Sequence, residues 1–264
     1  MKLHCIGDSH SSFFLGYNEI PAEYPFVAKS LIQNIYCYRL GASLAFNVNK
    51  YNSATNSRQK IEQIIASLNP NEDIILLCFG EIDCRAHILK QAEKLQLDYK
   101  KVIENCISNY LEMVTVIRNK GYSVLLWNAV YSANYEEKNT ELEFPYYGTV
   151  QERNKVTAEF NLQLANKTLE IGIDFLNISA LLIDKQSGLT KDKYYFDSVH
   201  LNNRLFVLVV KKINAIFNNK LFNYIQFFSY KIRLTELNCR TLISELIKYS
   251  KKKLTNWYVR KKRN

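Results

Sequence analysis

Ile74-Ile75-Leu76-Leu77-Cys78-Phe79, bounded by Asn69-Pro70-Asn71 before it and Gly80 after it, is the stretch that decides the fold. Six apolar residues with no polar alternation predict a strand buried on both faces, the kind found in parallel sheets covered by helices. Strand candidates recur at Lys2–Gly7, about 34–40, Tyr122–Val130 and Ile173–Asn177. Helical patterns fall between and after them, at about 56–68, 98–120, 150–171 and 203–218. In 98–120, Val102, Ile103, Cys106, Tyr110, Met113, Val114 and Ile117 share one face at helical spacing. Gly121 and Gly172 stand where C-terminal caps belong. Alternating strands and helices predict an α/β domain whose ligand site lies beyond the carboxyl ends of the strands.

The bulk numbers agree with one large domain plus a short appendage. The chain has 264 residues, 47% hydrophobic and 23% charged, with 8 Gly and 4 Pro, which argues against long linkers. Six cysteines without C-x-x-C spacing predict free thiols in a reducing compartment. The opening MKLHCIGDSH turns polar too soon for a signal peptide, and no run reaches the length of a membrane span, so a cytoplasmic protein is expected. The net charge is +10, yet Lys248 to Asn264 holds eight basic residues and no acidic one, which leaves a nearly neutral body. The pI therefore does not make the whole chain a nucleic-acid binder, and no nucleic-acid partner is expected.

Two short stretches carry candidate chemistry. Gly7-Asp8-Ser9 follows the first strand, and Asp197-Ser198-Val199-His200 comes near the end of the αβ region. Each alone reads equally as a turn, with Asp8 or Ser9 as a helix cap. Together they hold what nucleophilic catalysis needs: a hydroxyl, an imidazole to take its proton, and a carboxylate to orient the imidazole. His4 lies within the first strand and is expected to be a core residue. His10 is expected at the surface or in the wall of a pocket. Neither a metal nor any other cofactor is expected, since no His/Cys/Asp cluster has ligand spacing.

Four spaced blocks resemble the SGNH hydrolases, also called GDSL esterases and lipases: GDSH at 7–10, Gly41 in RLGAS, FGEIDCR at 79–85 and DSVHLN at 197–202. The resemblance covers residues 1 to about 218. It implies a flavodoxin-like three-layer α/β/α sandwich with a five-stranded parallel sheet, and an ester hydrolase working through a Ser-acyl intermediate. By the same resemblance Ser9 is the nucleophile, His200 the base, Asp197 its orienting carboxylate, and the amides of Ser9 and Gly41 are oxyanion donors. A glycine at 41 also leaves room for a substrate carbonyl.

The third block departs from the family's Gly-x-Asn-Asp. Gly80-Glu81-Ile82-Asp83 places an isoleucine where an oxyanion donor is expected. A slower enzyme, a substitute donor, or ester binding without turnover all stay open. Arg85 and His87 are the nearest substitutes; Asp8, Gly80 and Asp83 join them as possible substrate contacts. Arg85 alternatively grips a substrate carboxylate or phosphate, or pairs with Asp83. Tyr194-Tyr195-Phe196 is a candidate pocket wall.

Family analogy points to a small-molecule, glycan or lipid acyl ester as substrate. An O-acyltransferase acting on a glycan through the same residues is one alternative, and a non-catalytic binding or surface-attachment module is another. Residues 1–218 form the expected hydrolase-like domain and 219–264 a helical extension with a basic tail. Leu221–Leu254 is helical in pattern, and Trp257-Tyr258 precede the basic end. The extension reads either as a helical cover with a solvated tail or as a docking element for an anionic membrane surface through 248–264.

Overall fold

The structure, a computed structural model, describes residues 1–134 and 145–261, with side chains through residue 244. The chain divides into two compact units, Met1–Phe222 and Asn223–Asn264. In the first, six strands form one sheet: β1 (Lys2–Gly7), β2 (Ala28–Lys29), β3 (Ile35–Arg39), β4 (Asp73–Cys78), β5 (Ser123–Trp127) and β6 (Asp174–Leu176). Their order is β2-β3-β1-β4-β5-β6. Five strands run parallel and fall on the five expected runs, but the expected five-stranded parallel sheet needs correction. β2 adds a sixth strand at one edge, antiparallel to β3. Its two residues are too few for any apolar alternation to register in the sequence.

The helices are α1 (Ser57–Ala66), α2 (Ile88–Leu95), α3 (Tyr99–Asn119), α4 (Val150–Glu170), α5 (Ser179–Leu182) and α6 (Phe206–Ile216). Alternation along β4 shows how the layers are built. Ile75 and Leu77 join one buried cluster with Ile61 and Ile65 of α1, Ile107 and Tyr110 of α3, and Phe160 of α4. On the first strand's far side, Phe13 and Phe14 of the 3₁₀ turn Ser9–Leu15 pack against Trp127 at the end of β5, and Phe13 meets Phe206 of α6. With both faces covered, every residue of β4 is buried, which is why its sequence is continuously apolar from Ile74 to Cys78. A Thr149–Glu152 capping box starts α4, and Gly121 and Gly172 follow α3 and α4 with φ of 90° and 64°.

His4 is buried as expected, its Nδ1 2.9 Å from the Tyr38 hydroxyl. All six cysteines are free and five are buried. The second unit consists of α7 (Tyr224–Lys261), a helix of 38 residues on which Ile225, Phe228, Ile232, Leu242 and Ile243 are exposed. The basic residues from Lys248 to Arg263, with Trp257 and Tyr258, lie outside the described side chains. Among the described residues no helix is long and apolar enough to cross a membrane.

Candidate active site

Register brings the blocks to one place. Gly7 of β1 lies opposite Arg39 of β3 and Cys78 of β4. Ser9, Gly41 and Gly80 each come two residues later, so three blocks leave the sheet at one level. Here the chain, having gone from β1 to β3 on one side, passes to β4 on the other, the switch point where α/β sheets open a crevice. Gly7 itself allows the close approach of β1 to β4, since a Cβ there would sit 2.1 Å from the Cys78 carbonyl oxygen.

The fourth block arrives from 191 residues away. His200 Nε2 lies 2.8 Å from Ser9 Oγ, and His200 Nδ1 lies 2.7 Å from Asp197 Oδ2. The turn holds itself together: Asp197 Oδ1 accepts the Val199 and His200 amides at 2.8 and 2.6 Å. Partial burial of Asp197 disfavours its charge, but the His200 bond and these amides outweigh it and hold the carboxyl below its ordinary value. An ionised carboxylate fixes a proton on Nδ1 and leaves Nε2 free to accept the serine proton. Phe196 stacks on the His200 ring at 5.7 Å between centroids. Of its neighbours in the candidate wall, Tyr195 donates its hydroxyl to the Tyr131 carbonyl.

The amides of Ser9 and Gly41 donate to no acceptor among the described residues. Two idle backbone donors beside a serine hydroxyl suit an oxyanion. Gly41 has φ 92°, and a Cβ there would meet the Glu23 carboxylate at 2.9 Å. The glycine is thus required by left-handed backbone and by Glu23, in addition to the room expected for a carbonyl.

The third block turns inward, and most of the substrate contacts expected of it are corrected. Asp83 is buried and accepts the Ala45 and Phe46 amides at 2.8 and 3.2 Å, mooring the segment that follows Gly41. Gly80 faces the core, where a Cβ would meet the Phe160 ring at 2.9 Å. Asp8 is fully buried and caps the 3₁₀ turn by accepting the His10 amide at 2.8 Å. Arg85 pairs with Glu81 at 2.7 Å, not with Asp83, because side chains four apart share a helical face and those two apart do not. His87 is half-buried and lines a cavity of about 370 Å³ with Leu44, Phe46 and Val102, a cavity that neither Ser9, Gly41 nor His200 lines. Ile82 is buried.

His10, expected at a surface or wall, is 4% exposed; its ring lies 5.1 Å from that of His200, and its Nε2 is 3.2 Å from Glu81 Oε2 without hydrogen-bond alignment. Burial disfavours the Glu81 charge, but Arg85 and then His10 hold its carboxyl down at about 2. Burial also lowers the His10 pKa, more than Glu81 raises it. Sequence reasoning gave His10 no role beyond a surface or a wall and assigned none to Glu81. The one signal was an acid and a base four residues apart in the turn after β4. Among the described residues no group of three or more His, Cys, Asp or Glu is set to hold a metal.

No family model and no curated protein matches the chain. Solved structures do. A "putative acylhydrolase" of Bacteroides fragilis superposes with a TM-score of 0.50 at 12% identity, over 84% of this chain and 88% of that one. The acetylxylan esterase Axe2 of Geobacillus stearothermophilus gives 0.47 at 14% identity, over 81% and 92%. Likeness at such identity speaks to architecture alone. What this chain shares with the acylhydrolase is the fold, a mostly parallel sheet flanked by helices.

Proposed function

We propose that the protein hydrolyses carboxylic esters through an acyl-enzyme on Ser9. One observation carries the reading: Asp197, His200 and Ser9 form a continuous hydrogen-bonded chain beside two unemployed amides. His200 takes the Ser9 proton as Oγ attacks the ester carbonyl. The Ser9 and Gly41 amides hold the tetrahedral oxyanion, and His200 returns the proton to the departing alcohol. Water, activated by the same imidazole, then releases the acid. The substrate class we favour is an O-acyl group on a carbohydrate or lipid, on the strength of the sequence resemblance. A sugar hydroxyl in place of water makes the same site an acyltransferase, and a site that binds esters without turnover is the remaining rival. Turnover of p-nitrophenyl acetate, with Ser9→Ala as control, tests the reading. Mass-spectrometric detection of a fluorophosphonate adduct on Ser9 is the expected result, and its absence from the wild type sinks the proposal.

The cytoplasm is the compartment we favour, with the eight basic residues of 248–264 drawing the protein to anionic lipid. Flotation with phosphatidylglycerol vesicles is expected to weaken when that segment is removed; equal flotation removes the idea.

A further inference from the structure

Ser9 and His200 sit on segments that share no strand or helix. The Asp197–His200 turn belongs to a stretch of short turns between α5 and α6, whereas Ser9 is fixed to β1. One 2.8 Å bond joins the two side chains, and the Asn203 bonds to Asn18 and Gly16 at 3.0 and 3.4 Å lie farther along both segments, a weak constraint on a reaction that needs sub-ångström alignment. A second route joins the two segments. His10 follows Ser9 and faces Glu81 at 3.2 Å; Glu81 accepts Arg85 Nε at 2.7 Å. The Arg85 guanidinium lies 5.7 Å from the centre of the Tyr146 ring, and the Arg85 carbonyl accepts the Tyr147 amide at 3.0 Å. Tyr146 donates its hydroxyl to the Ser198 carbonyl at 2.5 Å, inside the Asp197–His200 turn. The path closes on itself, because the His10 ring packs 5.1 Å from the His200 ring. His10, Glu81, Arg85 and Tyr146 are each at most 5% exposed.

We infer that His10, Glu81, Arg85 and Tyr146 form a buried brace holding the Asp197–His200 turn in register with Ser9, and that Tyr146 and Glu81 are positioning residues. The inference rests on the ester-hydrolase reading for its kinetic consequence but not for its geometry. Burial gives the brace its strength: a polar group there has no water to fall back on, so each member holds its partner. It also explains the third block. A glutamate at 81 reaches His10 on one side and Arg85 on the other, and the block serves as a strut.

Tyr146→Phe tests the brace with the smallest change, removing one hydroxyl and leaving the ring. The rate of fluorophosphonate labelling of Ser9 is expected to fall by about 10- to 100-fold, with KM for p-nitrophenyl acetate unchanged. The ¹⁵N shift of His200 Nε2, which reports the bond to Ser9 Oγ, is expected to move toward its value in Ser9→Ala. A labelling rate and a shift both equal to wild type overturn the brace, and so does a drop in melting temperature without a change in either. If wild-type Ser9 takes no label, the hydrolase reading fails, and the Nε2 shift by itself decides the brace. The His10→Asn/Glu81→Gln pair, which removes the imidazole and the carboxylate together, is expected to move the shift in the same direction; no movement counts against the inference.

Discussion

Two turns at the same edge of the sheet use their polar residues in opposite ways. In Asp197–His200 the carboxylate is 40% exposed and its hydrogen-bond partners lie within three residues, so the turn sets its own shape and presents an imidazole to Ser9. In Gly80–His87 the carboxylates and Arg85 are buried, and beside the local Glu81–Arg85 pair they reach across the chain: Asp83 to Ala45, and Glu81 to His10. Under the proposed function the first turn contributes reactivity and the second contributes position. Each role follows from solvation, since a group that exchanges protons with substrate must be reachable, whereas a buried charge is kept only if its partners do not move.

Removing the reactive side should have the largest effect. Ser9→Ala is expected to lower ester turnover by about 10⁴-fold or more, read as kcat for p-nitrophenyl acetate. A smaller loss would mean that the turn carries no nucleophilic chemistry. Asp197→Asn keeps the shape and removes the charge; a kcat loss of about 10³-fold is expected, because the imidazole loses its fixed tautomer. If activity is retained, the contrast between the turns breaks at the carboxylate.

The inward turn should respond through stability first. Asp83→Ala strands the buried Ala45 amide and the partly buried Phe46 amide, and a fully buried group left unpaired costs about 1–3 kcal/mol. Thermal unfolding is therefore expected to move down by several degrees, with the Ser9 labelling rate less affected than in Asp197→Asn. The smallest effect is in acid. The Glu81 carboxyl is held down from 4.5 to about 2, so its contribution to stability is complete above pH 4.5 and is lost as pH falls toward 2. The His10 pKa is lowered from 6.5, so the unfolded chain takes up that proton first and stability drops below pH 6.5. Both signs agree. Asp8, Asp83, Arg85 and His200 remain in both proteins, so the gap in melting temperature between wild type and His10→Asn/Glu81→Gln should narrow on acidification from pH 7 to pH 4. A gap that stays constant would mean that Glu81 and His10 do not titrate as described.

Much of this was legible beforehand, and the reasons differ by element. β4 was readable because burial on both faces leaves only apolar side chains, and α3 because one buried face repeats at helical spacing. β2 was not, since two residues carry no period. Ser9, Asp197 and His200, which the structure brings into one hydrogen-bonded chain, could be singled out because a hydroxyl, an imidazole and a carboxylate at such spacing are the types that nucleophilic chemistry needs. For Arg85 and Asp83 the sequence left a substrate contact and a structural ion pair both open, because a charged residue in a short motif gives no sign of which way its turn faces.

The amino-acid order by itself determined the five parallel strands, the helices α1, α3, α4 and α6, and the local shape of the Asp197–His200 turn, all of which depend on neighbours within a few residues. Only the tertiary structure decided that His200 meets Ser9, that Gly41 stands at the same level, and that His10, Glu81, Arg85 and Tyr146 lie in one buried path. Those meetings depend on strand register and on burial, and both are properties of distant segments packed together.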